Sequence, residues 1–223
     1  MKPDTLRERY GVRPPTALDP RRTALVLVDF QDEYVHGGLP LPCGAAAIDA
    51  ARSLVGWARA AGVLVVHVQH VRPAGGPLFA EASPGVQLIA GLAPRPEDLV
   101  VKKSIAGAFS RTDLDARLRA VGVDTLIVGG LMSHLAVYVT ASDAAVLGYD
   151  VIVAGDATAT RDLHDPLGGA VLPARVVKQA ALAAIADRAA AVLSTPAILA
   201  LPWDRESIGS SYLSPPPAIR VDP

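Results

Sequence analysis

The chain has 223 residues, is 51% hydrophobic and 19% charged, and carries a net charge of −1. That length and composition fit one large globular domain with a sizeable core and exclude a disordered chain. Its 21 basic and 22 acidic side chains are scattered without a basic patch, which argues against nucleic acid as a partner.

Residues 1–20 contain Pro14, Pro15 and Pro20 and read as an arm, either mobile or packed on a neighbouring subunit. This end has no apolar signal region, and Asp187 and Arg188 interrupt the longest apolar candidate for a span. A cytoplasmic protein with no membrane partner is therefore expected. The domain itself is expected over residues 21–195, with a C-terminal extension over 196–223 that holds Trp203 and Pro215 to Pro217. Thr23 to Phe30 is a continuous apolar run, the mark of a strand buried on both faces. Asp29 sits at its end, followed by Gln31 and Tyr34. A carboxylate at the end of a buried strand is costly unless it is paired or used.

Cys43 is the only cysteine, so there is no internal disulfide and no cysteine metal cluster. Ala45 to Ala61 has helical spacing and Gly62 ends it. Val63 to Val68 is the second strand, leading into Gln69, His70 and Arg72. A Pro- and Gly-rich loop, 73–96, follows and is a candidate lid or specificity loop. His67 and His70 read as packing or hydrogen-bonding histidines, because no third ligand lies nearby at metal spacing. The next strand, Asp98 to Lys102, runs into Lys103. Consecutive strand side chains point to opposite faces, so one of the two lysines can turn inward.

A helix reaches Ala120 and a strand runs from Asp124 to Val128, breaking at Gly129 and Gly130 into a helix that opens near Ser133. Such a strand–glycine–helix turn points free backbone N–H groups at one spot, where anions and nucleophiles are stabilised. The nucleophile is expected at position 136, and that residue is alanine. The helix from His134 to Leu147 places Leu135, Val139 and Val146 on one stripe. Tyr149 to Ala154 is a strand, Thr158 to Pro173 a polar loop, Val176 to Asp187 a helix and Ala190 to Leu193 a last strand. This order predicts an α/β fold with three layers: a mostly parallel sheet of about six strands, with helices on both faces, Rossmann-like. Right-handed crossovers then bring Asp29, Lys103 and residues 131–136 to one sheet edge.

On these residues the chain resembles the isochorismatase-like superfamily, whose members are often called cysteine hydrolases. The resemblance runs through ALVLVDFQDEY, VVHVQHV, VVKKSIAGAFSRTDL and LIVGGLMSHLAVYVTASDAAVLGYDVIVAGDATATRD, and covers Thr23 to Ser194. It implies a catalytic Asp, Lys and Cys, which fall on Asp29, on Lys103 (six residues before Phe109) and on Ala136 (six after Gly130). It further implies a cis peptide at Leu131–Met132, an oxyanion hole from the N–H groups of Met132 and Ala136, and a homo-oligomer, dimer or tetramer. The metal-binding branch carries Asp-x-His where this chain has His70-Val71-Arg72, so no metal and no cofactor is implied. Phe30, Tyr34, Gln69, Arg72, Phe109 and Tyr138 are expected to line a pocket for a small carboxamide, carbamoyl or lactam substrate. Arg72 can pair a substrate carboxylate, although a lone arginine on a loop more often makes a surface or subunit contact.

Three readings of Ala136 compete. The favoured one is an amidase whose nucleophilic cysteine has been replaced, by engineering, with the smallest side chain that removes a thiol. The second is a natural binding protein without catalysis. The third is a vinyl-ether hydrolase of isochorismatase type, which needs no cysteine and uses Asp29 as a general acid.

Overall fold

The computed structural model describes residues 3–204. Among the described residues there are eight strands: β1 Thr23–Val28, β2 Leu64–His70, β3 Leu99–Lys103, β4 Thr125–Leu131, β5 Asp150–Ala159, β6 Leu163–His164, β7 Val171–Leu172 and β8 Ala191–Leu193. The helices are α1 Leu6–Arg9, α2 Gly44–Ala61, α3 Leu114–Ala120, α4 Tyr138–Val146, α5 Ala174–Arg188 and α6 Thr195–Leu199. Six strands form one parallel sheet in the order β3-β2-β1-β4-β5-β8. Every residue of β1 is buried because the strand feeds two layers at once. Leu25 and Leu27 pack with α2 and α6, whereas Ala24, Val26 and Val28 pack with α3, α4 and α5. Burial of that kind, about 25 cal/mol for each Å² of apolar surface, is what holds the three layers together.

The strand order places β1 between β2 and β4, so the ends of β1, β3 and β4 share one edge of the sheet. Gly130 lies opposite Val28 in the β1–β4 pair. A Cβ at Gly130 would stand 2.5 Å from the Val28 carbonyl oxygen and 2.7 Å from its Cβ. Backbone cannot yield as a flexible side chain would, so Gly130→Ala is expected to lower Tm by about 5–10 °C, from about 2–3 kcal/mol of overpacking. Thermal unfolding of the variant checks this; an unchanged Tm would contradict it. Between β4 and β5 the register jumps from Val128↔Val153 to Gly130↔Thr158. That bulge carries β5 on to Ala159, five residues beyond the Ala154 end expected from its apolar run.

Several elements depart from the sequence expectation. The N-terminal arm is not left for a neighbour. Thr5 and Glu8 form a reciprocal capping box around α1, Leu6 N–H donates to Asp187, and the Arg7 guanidinium donates to Ala189 O. The arm therefore docks on α5 of its own chain. Trp203 stacks on Trp57 with ring centroids 4.7 Å apart, so the extension returns to the domain up to residue 204. The proline run at 215–217 lies outside the described residues. The expected helix at His134 begins as a π-helical turn, Ser133–Val137, before α4. Its buried face is Ala136, Val137, Thr140, Ala141 and Ala144, while Leu135 and Val146 are exposed. Small side chains let this helix approach the sheet closely, and the larger ones face away.

Candidate active site

β1 stops at Val28 because the next residue turns out of the sheet. Asp29 adopts a left-handed conformation, φ 55°, its N–H donates to Val68 O, and its carbonyl accepts from Gln31 N–H. Aspartate is one of the few side chains that enters this region at modest cost, and such strain clusters at functional sites. Lys102 points to solvent and Lys103 inward, as alternation along β3 requires. The inward ammonium meets the carboxylate: Lys103 Nζ donates to Asp29 Oδ2 at 2.6 Å, with both residues buried. Asp29 Oδ1 is also buried and has no protein partner.

Burial raises the Asp29 carboxyl to about 7, with Lys103 pulling the other way. A carboxyl of that acidity holds a proton part of the time at neutral pH and can give or take one during a reaction. Next to β1, β4 ends at Leu131 with a cis peptide to Met132. The π turn then opens with the N–H groups of Leu135 and Val137 both donating to Met132 O. Ala136, in the middle of that turn, is buried, and so is the Ser133 hydroxyl, which has no protein partner. π turns recur at functional sites because they re-aim side chains within a helix.

The remaining expected lining residues separate. Tyr34 is buried against Phe79, ring centroids 5.2 Å apart. Burial makes its hydroxyl harder to deprotonate, and the neighbouring Asp29 charge adds to that shift. Phe30 and Met132 are core residues, 1% and 5% exposed, with side chains packed in the α2 layer. Gln69 spends its amide N–H on Val86 O. Phe109 does not face the site. Its ring tilts against Tyr149, whose hydroxyl donates to Asp115 at the start of α3, because the chain turns there into the helix layer. Tyr138 is also elsewhere, in an apolar groove of about 310 Å³ with Leu163, Leu172 and Val177.

Arg72 donates to Ser104 O and lines a cavity of about 540 Å³ with His70 and Phe79. Arg161 is the cation that sequence reasoning missed. Its Nε is buried without a protein partner. Its charge is felt by both Tyr34 and His134, and His134 Nδ1 lies 2.5 Å from Thr160 Oγ1. Arg161 Nη1 donates to Asp162 O at 3.2 Å, and a guanidinium with a free Nε has the chemistry to meet an anion. The sequence signal was its place in the loop just after β5, at the same sheet edge. His67 is occupied with Asp98 at 3.3 Å, and Asp98 also accepts from Arg59. The Asp-x-His at 162–164 is part of the loop framework, where Asp162 accepts from Ala174 N–H at the start of α5.

Residues 23–197 match the family model described as the isochorismatase domain. The chain belongs to the isochorismatase family. It is 37% identical to a secreted isochorismatase effector of Verticillium dahliae over 82% of this chain and 93% of that protein. It is 39% identical to a streptothricin hydrolase of Streptomyces noursei over 76% and 63%. With a maleamate amidohydrolase of Pseudomonas putida the identity is 32% over 65% and 76%. Among solved structures it is similar to an isochorismatase of Pseudomonas putida KT2440, with a TM-score of 0.82, 34% identity and coverage of 88% and 99%. This chain is thus a hydrolase-family α/β protein. Among the described residues no helix is long and apolar enough to cross a membrane. The effector relative is described as secreted, so the cytoplasmic expectation gains no support from the relatives.

Proposed function

We propose that this site binds a small amide, carbamoyl or lactam compound carrying an anionic group, and that it is a C–N hydrolase site lacking its nucleophile. The observation that carries this reading is the buried Asp29–Lys103 pair, with Asp29 Oδ1 unpaired, one strand away from the turn that holds Ala136. With cysteine at 136, Lys103 and the turn's N–H groups would favour the thiolate, and Asp29 would take the thiol proton. The thiolate would attack the amide carbonyl, with the oxyanion held by the N–H groups of Met132 and Ala136. Asp29 would return the proton to the departing amine, then deprotonate the water that cleaves the thioester. The alanine methyl can perform none of the covalent steps, so the chain as it stands binds without acylating.

Relatives named for streptothricin and maleamate hydrolysis support the amide class. Maleamate carries a carboxylate beside its amide, which is the charge pattern Arg161 would meet. The apolar groove of Tyr138, Leu163, Leu172 and Val177, and the exposed Leu135 and Val146, support a homo-oligomer, dimer or tetramer, as part of the same reading. Calorimetric titration of the unmodified chain with maleamate and with neutral crotonamide tests the anion requirement. Arg161→Ala is expected to weaken maleamate binding about 10-fold or more, the loss of one charge-assisted hydrogen bond, and to leave crotonamide unchanged. Equal losses for both ligands, or none, would contradict it.

A second reading has its own support. Asp29 holds a proton part of the time near neutral pH, which is what a general acid acting on an enol ether needs. Under that reading the unmodified chain consumes isochorismate, Asp29→Asn does not, and Ala136 is irrelevant.

A further inference from the structure

A lysine ammonium has three protons, and each one taken out of water needs an acceptor. Lys103 is buried with three acceptors around Nζ: Asp29 Oδ2 at 2.6 Å, Ile105 O at 3.1 Å and His70 Nδ1 at 3.3 Å. The imidazole is the third leg, and it closes the tripod from the β2 side.

His70 is itself held firmly. Its backbone N–H donates to Gln31 Oε1, and its carbonyl accepts from Gln31 Nε2. Its ring stands edge-on to Phe79, centroids 5.2 Å apart, and lines the same cavity as residues 73–79. We propose that His70 is a positioning residue: neutral, with its proton on Nε2, it accepts a Lys103 proton at Nδ1 and fixes the ammonium on Asp29. This rests on the catalytic reading of Asp29 and Lys103 for its consequence, though not for its geometry.

The charged groups around the ring agree with this protonation state. Burial first, then the charges of Lys103 and Arg72, hold the imidazole down to about 4, while the nearby Ile105 carbonyl favours a proton on it. The Asp29 carboxyl lies behind Lys103 and holds a proton part of the time at neutral pH. That leaves one competitor, a neutral ring with its proton on Nδ1. In that tautomer the ammonium would face an N–H instead of a lone pair.

Long-range proton–nitrogen correlation spectra of the uniformly 15N-labelled chain distinguish the two, with His70 assigned by the signals lost in His70→Asn. The expected pattern is a neutral ring with Nε2 protonated and Nδ1 bare from pH 5.5 to 8. A cationic ring in that range, or a proton on Nδ1, overturns the proposal. This readout needs no turnover and survives failure of the functional reading. Where Ala136→Cys is active, His70→Ala in that background is expected to lose about 10-fold or more in kcat with little change in KM. His70→Asn, whose Oδ1 can take the place of Nδ1, is expected to stay within about 3-fold of its parent. Equal loss in the two variants, with both still folded, would reduce His70 to a packing residue and overturn the proposal.

Discussion

Replacing Ala136 by cysteine is expected to switch on amide hydrolysis, raising ammonia or amine release from small amides on the order of 10³-fold or more over the unmodified chain. The magnitude follows from what a covalent nucleophile contributes once its base and its oxyanion donors are in place. The other parts are present. Asp29 is buried with one free oxygen and a carboxyl near neutral acidity, and Lys103 is fixed against it at 2.6 Å. Position 136 is buried in the π turn, so the methyl-to-thiomethyl change adds one sulfur to a space bounded by the turn itself. Release from a panel of amides, with maleamate among them and isochorismate alongside, checks this. Enol-ether cleavage by the unmodified chain would instead favour the acid-catalysed reading, and silence from both forms would favour binding without chemistry.

Asp29→Asn is expected to change how stability depends on pH, in a direction that separates a raised carboxyl from an ordinary ion pair. In the folded chain the Asp29 carboxyl stands at about 7 against 3.8 for the free group. The folded state therefore holds the proton more tightly than the unfolded state. Its contribution is fully present below about pH 4 and is lost as pH rises through about 7. Relative to Asp29→Asn, the unmodified chain should lose on the order of 2–3 kcal/mol between pH 5 and 8. Asparagine keeps the size, can still accept from Lys103, and tolerates the left-handed backbone at 29. His67, His70 and His134 act in the opposite sense. Burial lowers all three, so their contribution is present above about pH 6.5 and is lost as pH falls. All three are common to both chains, and His67 and His134, bonded to Asp98 and Thr160, cancel in the difference. Urea unfolding at four pH values gives the comparison. Parallel curves, or a difference that grows with pH, would mean that Asp29 is an ordinary stabilising ion pair.

The sheet was legible because its strands are buried on both faces. Runs such as Leu25 to Val28 and Leu126 to Val128 have only apolar neighbours to face, so composition alone marks them. The ends of those runs were legible too, since Asp29 and Lys103 are charges where burial is due. What the sequence concealed depends on distant chain. His70 acquires a role only when β3 is laid beside β2, and Arg161 only when the loop after β5 returns toward Tyr34. The docking of α1 depends on Asp187 and Ala189, some 180 residues on. The buried face of α4 was hidden for a different reason. Close packing on the sheet calls for Ala and Thr there, and the more hydrophobic Leu135 and Val146 were left outside. Phe109 and Tyr138 follow the same lesson, for an aromatic near a site in sequence points wherever its own layer has room.

The most direct test of a reaction centre lacking only its thiol is the acidity of a thiol placed there. Ala136→Cys, in a Cys43→Ser background because Cys43 is exposed, would be alkylated with iodoacetamide from pH 5 to 10. Modification at 136 would be followed by peptide mass. The predicted midpoint lies well below the ordinary thiol value of about 8.5 and moves upward when Lys103→Ala is added. A midpoint at or above about 8.5 that ignores Lys103 would contradict the assignment of this site.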